Sequence, residues 1–214
     1  MNKIILILLL ILAGISMPAQ AITADELEKV ISSTKGQSII SLAHDGYIFL
    51  EQNRRDSAEL YFLAGSMRYS DDLPHRERTN SVICMNNLGY MYLFFNHNGE
   101  EAFRILSRAH DIAERQHLWM ILDAICDNMA KIYDDFGDTA SALRYYRRSF
   151  ALAHNNRHTL VQLMAYTDMC AMALARNILD SIRPEMKIMA GNRSPIPYAW
   201  GAIRRLSPVV CNCS

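Results

Sequence analysis

Between Met85 and Ala113, small and large apolar residues recur at helical spacing on both sides of the polar turn His97-Asn98-Gly99. That pattern predicts an antiparallel pair of helices, from about Arg76 to Asn96 and from Gly99 to Gln116. It recurs on either side. Upstream, Ser38 to Gln52 and Asp56 to Ser70 read as a pair joined by Asn53-Arg54-Arg55 and stopped by Asp71, Asp72 and Pro74. Downstream, Leu118 to Phe136 and Thr139 to Asn155 read as another, turning at Gly137-Asp138. A short helix from Ala24 to Thr34 precedes them. Leu27, Val30 and Ile31 give it an apolar stripe, and Thr23 with Glu26 supplies the residues of a capping box. After His158 the pattern runs from Leu160 to Asn177 and then weakens, because Pro184 interrupts the next segment and Gly191 ends it. Residues 159–190 are therefore expected to form a degenerate hairpin that covers the end of the array. Pro195, Pro197 and Pro208 argue against helix beyond it, leaving 191–214 as an irregular tail.

The three clear hairpins can be laid on one another. Ala58, Phe62 and Gly65 correspond to Ala102, Leu106 and Ala109, and to Ala142, Tyr146 and Ser149. Small residues let two helices approach, and the large one fills the gap between them. The preceding helices carry Leu88, Gly89 and Tyr92 in the second hairpin and Met129, Ala130 and Tyr133 in the third. In the first, Gly46 and Phe49 keep the small and aromatic places while Asp45 takes the apolar one.

These residues resemble the tetratricopeptide repeat family, whose first helix reads large-Gly-x-x-Tyr and whose second reads Ala-x-x-x-Phe-x-x-Ala. The resemblance implies an all-α solenoid of antiparallel hairpins, coiled as a right-handed superhelix, that binds a protein or peptide rather than catalysing a reaction. The steps from Ala58 to Ala102 and from Ala102 to Ala142 are 44 and 40 residues, so each helix is longer than in the common repeat of about 34. The tryptophan near the start of the first helix and the proline after the second are missing. Such stretched repeats are similar to the exported sensor regions of bacterial transmembrane regulators. That likeness supplies the alternative expectation, a periplasmic sensory domain cut off before its membrane helix and DNA-binding domain.

Composition and charge narrow the reading further. Half of the 214 residues are apolar, and 22 basic residues balance 22 acidic ones, which removes the long-range field that nucleic acids or anionic membranes would require. Lys3, the apolar run from Ile4 to Ile15 and Ala19-Gln20-Ala21 form a signal peptide, with cleavage expected after Ala21 and a repeat domain over 22–190. The chain is then exported, to a periplasm or beyond, with no stable membrane insertion after cleavage. Cys84, Cys126 and Cys170 fall in apolar helical patterns and suit buried thiols, although a Cys84–Cys126 bridge is possible. Cys211 and Cys213 make a C-x-C pair in the tail, too few ligands for a zinc site.

Catalytic-looking fragments have plain structural readings. Asp135-Phe136-Gly137 copies a kinase triplet without the Gly-rich loop or strand lysine that kinase chemistry needs. His154 and His158 have no third ligand, and Arg144, Arg147 and Arg148 read as solvated charge, as His110 and His117 do. Neither a metal nor another cofactor is expected. Binding has a definite candidate surface. If each first helix packs its Gly and Tyr positions on the second, residues at i, i+4, i+7 line the concave side. These are Ala43, Tyr47 and Leu50, then Asn86, Tyr90 and Leu93, then Asp127, Lys131 and Asp134. Tyrosines would anchor a peptide there, with Asn86 or Lys131 pairing to its backbone or carboxylates. Tyr47, Tyr90 and Leu93 equally suit the core of lengthened helices.

Overall fold

The computed structural model describes residues 23–191, and its first helix starts at the expected capping box. The Thr23 hydroxyl accepts from the Glu26 amide, and the Glu26 carboxylate accepts from the Thr23 amide at 2.9 Å. Helix α1 (Ala24–Ser33) follows. Then come α2 (Ile39–Glu51), α3 (Arg55–Met67), α4 (His75–Phe94), α5 (Gly99–Arg115), α6 (Trp119–Asp135), α7 (Thr139–Asn156) and α8 (Thr159–Ala175). A 3-10 turn (Leu179–Ile182) leads into α9 (Arg183–Gly191). Side chains of Ser38, Asn98 and Asp138 cap α2, α5 and α7 by accepting from amides three residues on, each at 3.1 Å. The fold is all-α, with antiparallel hairpins α2–α3, α4–α5, α6–α7 and a shorter fourth formed by α8 and the segment after it. The signal peptide, Cys211, Cys213 and the tail beyond Gly191 lie outside the described residues.

Most turns share one device. Asn53, His117, Gly137, Arg157 and Asn177 each take a left-handed conformation, with φ between 56° and 78°. In each case the amide of the next residue reaches back five positions. Arg54 donates to Phe49, Leu118 to Ala113, Asp138 to Tyr133, His158 to Ala153 and Ile178 to Ala173, all at 2.8–2.9 Å. This double closure of the last turn satisfies carbonyls that would otherwise lack partners. The kinase-like triplet Asp135-Phe136-Gly137 is part of one such turn. His97 is also left-handed, but there Asn98 reaches back six positions to Tyr92.

Pro184 behaves differently from expectation. It is the second residue of α9, in the first turn, where a missing amide hydrogen costs no intrahelical bond. It therefore starts the closing helix instead of breaking it.

The residues divide into two compact units, parting between Ile112 and Ala113. In the first, α2, α3 and α4 pack around Phe62, Cys84, Leu88 and Met91. All three glycine contacts are tight. A Cβ on Gly46 would lie 2.7 Å from the Phe62 ring, one on Gly89 would lie 2.4 Å from Leu106, and one on Gly65 would lie 2.5 Å from the Cys84 sulfur. In the second unit, α6, α7 and α8 enclose Tyr146, Phe150, Tyr166 and Met169, and Met186 and Met189 of α9 pack onto that cluster. Every member of the small-large-small code on α3, α5 and α7 is buried.

Candidate functional site

In the first unit, the expected groove residues separate into exposed and covered ones. Tyr47 on α2 is 53% exposed, whereas Ala43 is buried and Leu50 half-buried. On α4, Asn86 and Leu93 are buried and Tyr90 is half-buried. Tyr90 packs against Phe94 and Phe95, with ring centroids at 4.7 and 5.7 Å, and the Arg55 guanidinium lies 4.1 Å from the centroid of Phe95. Asn86 and Leu93 are covered because α4 is packed by both α2 and α3. Nearby, Glu59 accepts from Asn96, and burial together with Glu59 holds the Tyr92 hydroxyl above its ordinary pKa.

In the second unit, α6 and α8 lie side by side, linked by ion pairs along their length. The buried Asp123 carboxylate meets His158 Nδ1 at 2.7 Å and accepts from Asn156 at 3.2 Å. Lys131 bonds to Asp127 on its own helix and lies 3.0 Å from Asp168 on α8. Asp134 takes Arg176 at 2.8 Å. Lys131 was expected to meet a partner's carboxylate, but the chain's own carboxylates hold it. Burial opposes its charge, yet Asp127 and Asp168 together raise its pKa. Asp127 is buried, and burial pushes its carboxyl up despite Lys131, while its Oδ1 has no hydrogen-bond partner. The stripe Asp127, Lys131, Asp134 thus faces the neighbouring first helix as much as solvent.

Other expectations shift as well. Arg147 bonds Glu185 at 3.0 Å and the Ser181 carbonyl, and Arg148 bonds Glu114, so of the arginines on α7 only Arg144 is exposed. His158 is engaged by Asp123, and the His110 side chain is only 13% exposed, because both rings lie against packed helices. Cys84 and Cys126 are buried thiols, and burial raises each to about 12. Cys170 is a half-buried thiol. Among the described residues, no three His, Cys, Asp or Glu side chains gather closely enough to hold a metal ion.

Large apolar side chains left in solvent are unevenly placed. They include Tyr47 on α2, Phe94 on α4, Trp119 and Met120 on α6, and Leu160, Met164 and Leu174 on α8. Those are all first helices. The second helices α5 and α7 carry none, and α3 and α9 have only Met67 and Ile188.

The repeated code is now visible in space: Gly89 against Leu106 in one hairpin, and Ala130 with Tyr146 in the core of the next. Residues 81–154 match the tetratricopeptide repeat. The tetratricopeptide match begins within α4 and ends near the end of α7, so it contains both of those pairs. The fold is accordingly an all-α, tetratricopeptide-type array of hairpins. No curated protein and no solved structure matches the chain. Tetratricopeptide domains typically bind proteins, and among the described residues no helix is long and apolar enough to cross a membrane.

Nothing in the sequence pattern marks Asp123, Asp168 or Arg176 as a pairing partner, and His158 stands out there only through its spacing from His154. Asp123 stands four residues before Asp127, a spacing that marks one helical face. Asp168 lay in a segment read as a decayed repeat, so its pairing with Lys131 had no visible counterpart.

Proposed function

We propose that the chain is an exported, non-catalytic scaffold that binds a protein or peptide partner along the exposed faces of its first helices. The observation that carries this reading is the segregation of exposed apolar side chains to α2, α4, α6 and α8. Isolated exposed apolar residues are ordinary, but their concentration on α6 and α8, with none on α7, is the pattern of an interaction face. Tyr47, Met164 and Leu160 present adaptable, low-cost contact area of the kind that anchors a partner.

Export rests on the charged, apolar and A-x-A segments of the first 21 residues. Sequencing the N-terminus of the protein recovered from an envelope fraction is expected to begin at Ile22, and an intact Met1 in the cytosol would overturn it. For partner binding, affinity capture from an envelope extract is made with the wild-type chain and with Tyr47→Ala plus Met164→Ser. A partner retained by the first and lost by the second is the expected result. Equal recovery by two folded proteins removes the first-helix faces as the site.

The lengthened repeats favour one narrower reading, the sensory part of a transmembrane regulator. A reading frame that continues past codon 214 into a membrane helix and a DNA-binding domain supports it, and a stop codon there removes it.

A further inference from the structure

Helix α9 closes the second unit with little to hold it there. Of its nine residues only Glu185 is buried, and that residue is a carboxylate whose Oε2 has no hydrogen-bond partner. Met186 and Met189 are half-buried, and Ile188 is 44% exposed. A helix this short is marginal without packing, and an unpaired buried acceptor counts against the closed state. The residues next to it are held more firmly. Ile182, in the 3-10 turn just before α9, is fully buried in the cluster of Tyr146, Phe150, Tyr166, Met169 and Met172. The Arg147 guanidinium bonds the Ser181 carbonyl of that turn as well as Glu185 of α9. The turn and Arg147 therefore stay in place when α9 swings away about the Ile182–Arg183 link. What α9 then uncovers is a seat of thioether and aromatic side chains with a guanidinium beside it. Methionines adapt to differently shaped partners, and an arginine fork selects a carboxylate.

We propose that α9 is a displaceable cap, and that the seat beneath it takes a partner's amphipathic helix with a carboxylate followed by large apolar side chains one and four positions on. That is the arrangement of Glu185, Met186 and Met189 in α9 itself. The partner's carboxylate takes over Arg147, and its apolar side chains replace the two methionines on the cluster. Because α9 is tethered, it competes at an effective concentration of roughly millimolar order. A cap that buries no apolar side chain of its own is weak enough for a free helix with larger ones to displace. Occupation of the seat by α9 lowers the partner's apparent affinity, so release of α9 is a point of control. This site does not use the exposed side chains of the first helices, and it stands or falls apart from them.

The test uses the full chain and a labelled peptide with the sequence of residues 179–191 in which Leu replaces both methionines, a difference in mass that separates it from α9. Fluorescence anisotropy should detect binding, weakened about tenfold when Ser stands in place of the two Leu and about fivefold when Gln replaces the peptide's Glu. Hydrogen exchange should then rise in residues 183–191 of the chain, where the peptide displaces them, and stay unchanged in α6. Met186→Ser with Met189→Ser in the chain loosens the resident cap and should tighten peptide binding about tenfold. If that double variant does not fold, the exchange of the wild-type chain decides by itself. A peptide that binds neither chain overturns the proposal. So does binding that leaves residues 183–191 as protected as before, which puts the peptide elsewhere. A dimer in light scattering that the peptide dissociates overturns it too, since the α9 of a second copy then fills the seat.

Discussion

Gly137 and Arg157 take nearly the same left-handed conformation at equivalent turns, with φ of 78° and 60°, although one residue lacks a Cβ and the other does not. A Cβ on Gly137 would meet nothing within 4 Å, so Gly137→Ala isolates the backbone cost. It should destabilise the protein by about 1 kcal/mol, and Arg157→Gly should stabilise it by a similar amount. Urea midpoints with unchanged slopes check both. Gly89→Ala is a packing change instead, because its Cβ would collide with the fully buried Leu106. It should cost about 1–3 kcal/mol, partly recovered by shortening Leu106 in the same chain. The thiols give a pH dependence. Cys84 and Cys126 have folded values of about 12 against an ordinary 9.0. Each therefore contributes stability that is full below 9.0 and is lost as the pH rises toward 12. Unfolding free energy should fall with pH above 9, and Cys84→Ala with Cys126→Ala should flatten the decline between pH 9 and 10. A slope unchanged by the double substitution would contradict burial as its cause.

At the scale of elements, the closing helix depends on a few polar bonds. Glu185 of α9 is buried and pairs with Arg147, which also bonds the Ser181 carbonyl. Arg147→Ala leaves Glu185 without that partner and should cost about 1–3 kcal/mol, with hydrogen exchange rising first in residues 183–191. Uniform exchange across the second unit would mean that α9 does not separate on its own. This end of the fold was the least legible in the sequence. Pro184 read as a breaker because its role depends on where the helix begins, and that is set by the 3-10 turn before it. The hairpins themselves were legible, since the code of small and large residues is a local requirement of helix pairs. The left-handed turns were only partly so. Gly137, Asn53, Asn177, His97 and His117 are of types enriched in that conformation, whereas Arg157 carries no such mark.

For the molecule as a whole, spacing located the first-helix stripe but could not tell which of its members solvent reaches. Tyr47 is exposed, while Asn86, Leu93 and Asp127 are covered by helices that come from elsewhere in their own units. Lys131 suits a partner's carboxylate on sequence alone because Asp168, which holds it, lies 37 residues away. Solvent reaches Tyr47 in the first unit and, in the second, Leu160, Met164 and Leu174 on α8. Photocrosslinking in living cells tests this most directly. A benzophenone side chain is placed at Tyr47, at Met164 and, on a second helix, at Arg144. Partner binding along the first helices predicts a discrete crosslinked protein from Tyr47 or Met164 and none from Arg144. Crosslinking from Arg144 alone, or from none of the three in a folded chain, would contradict it.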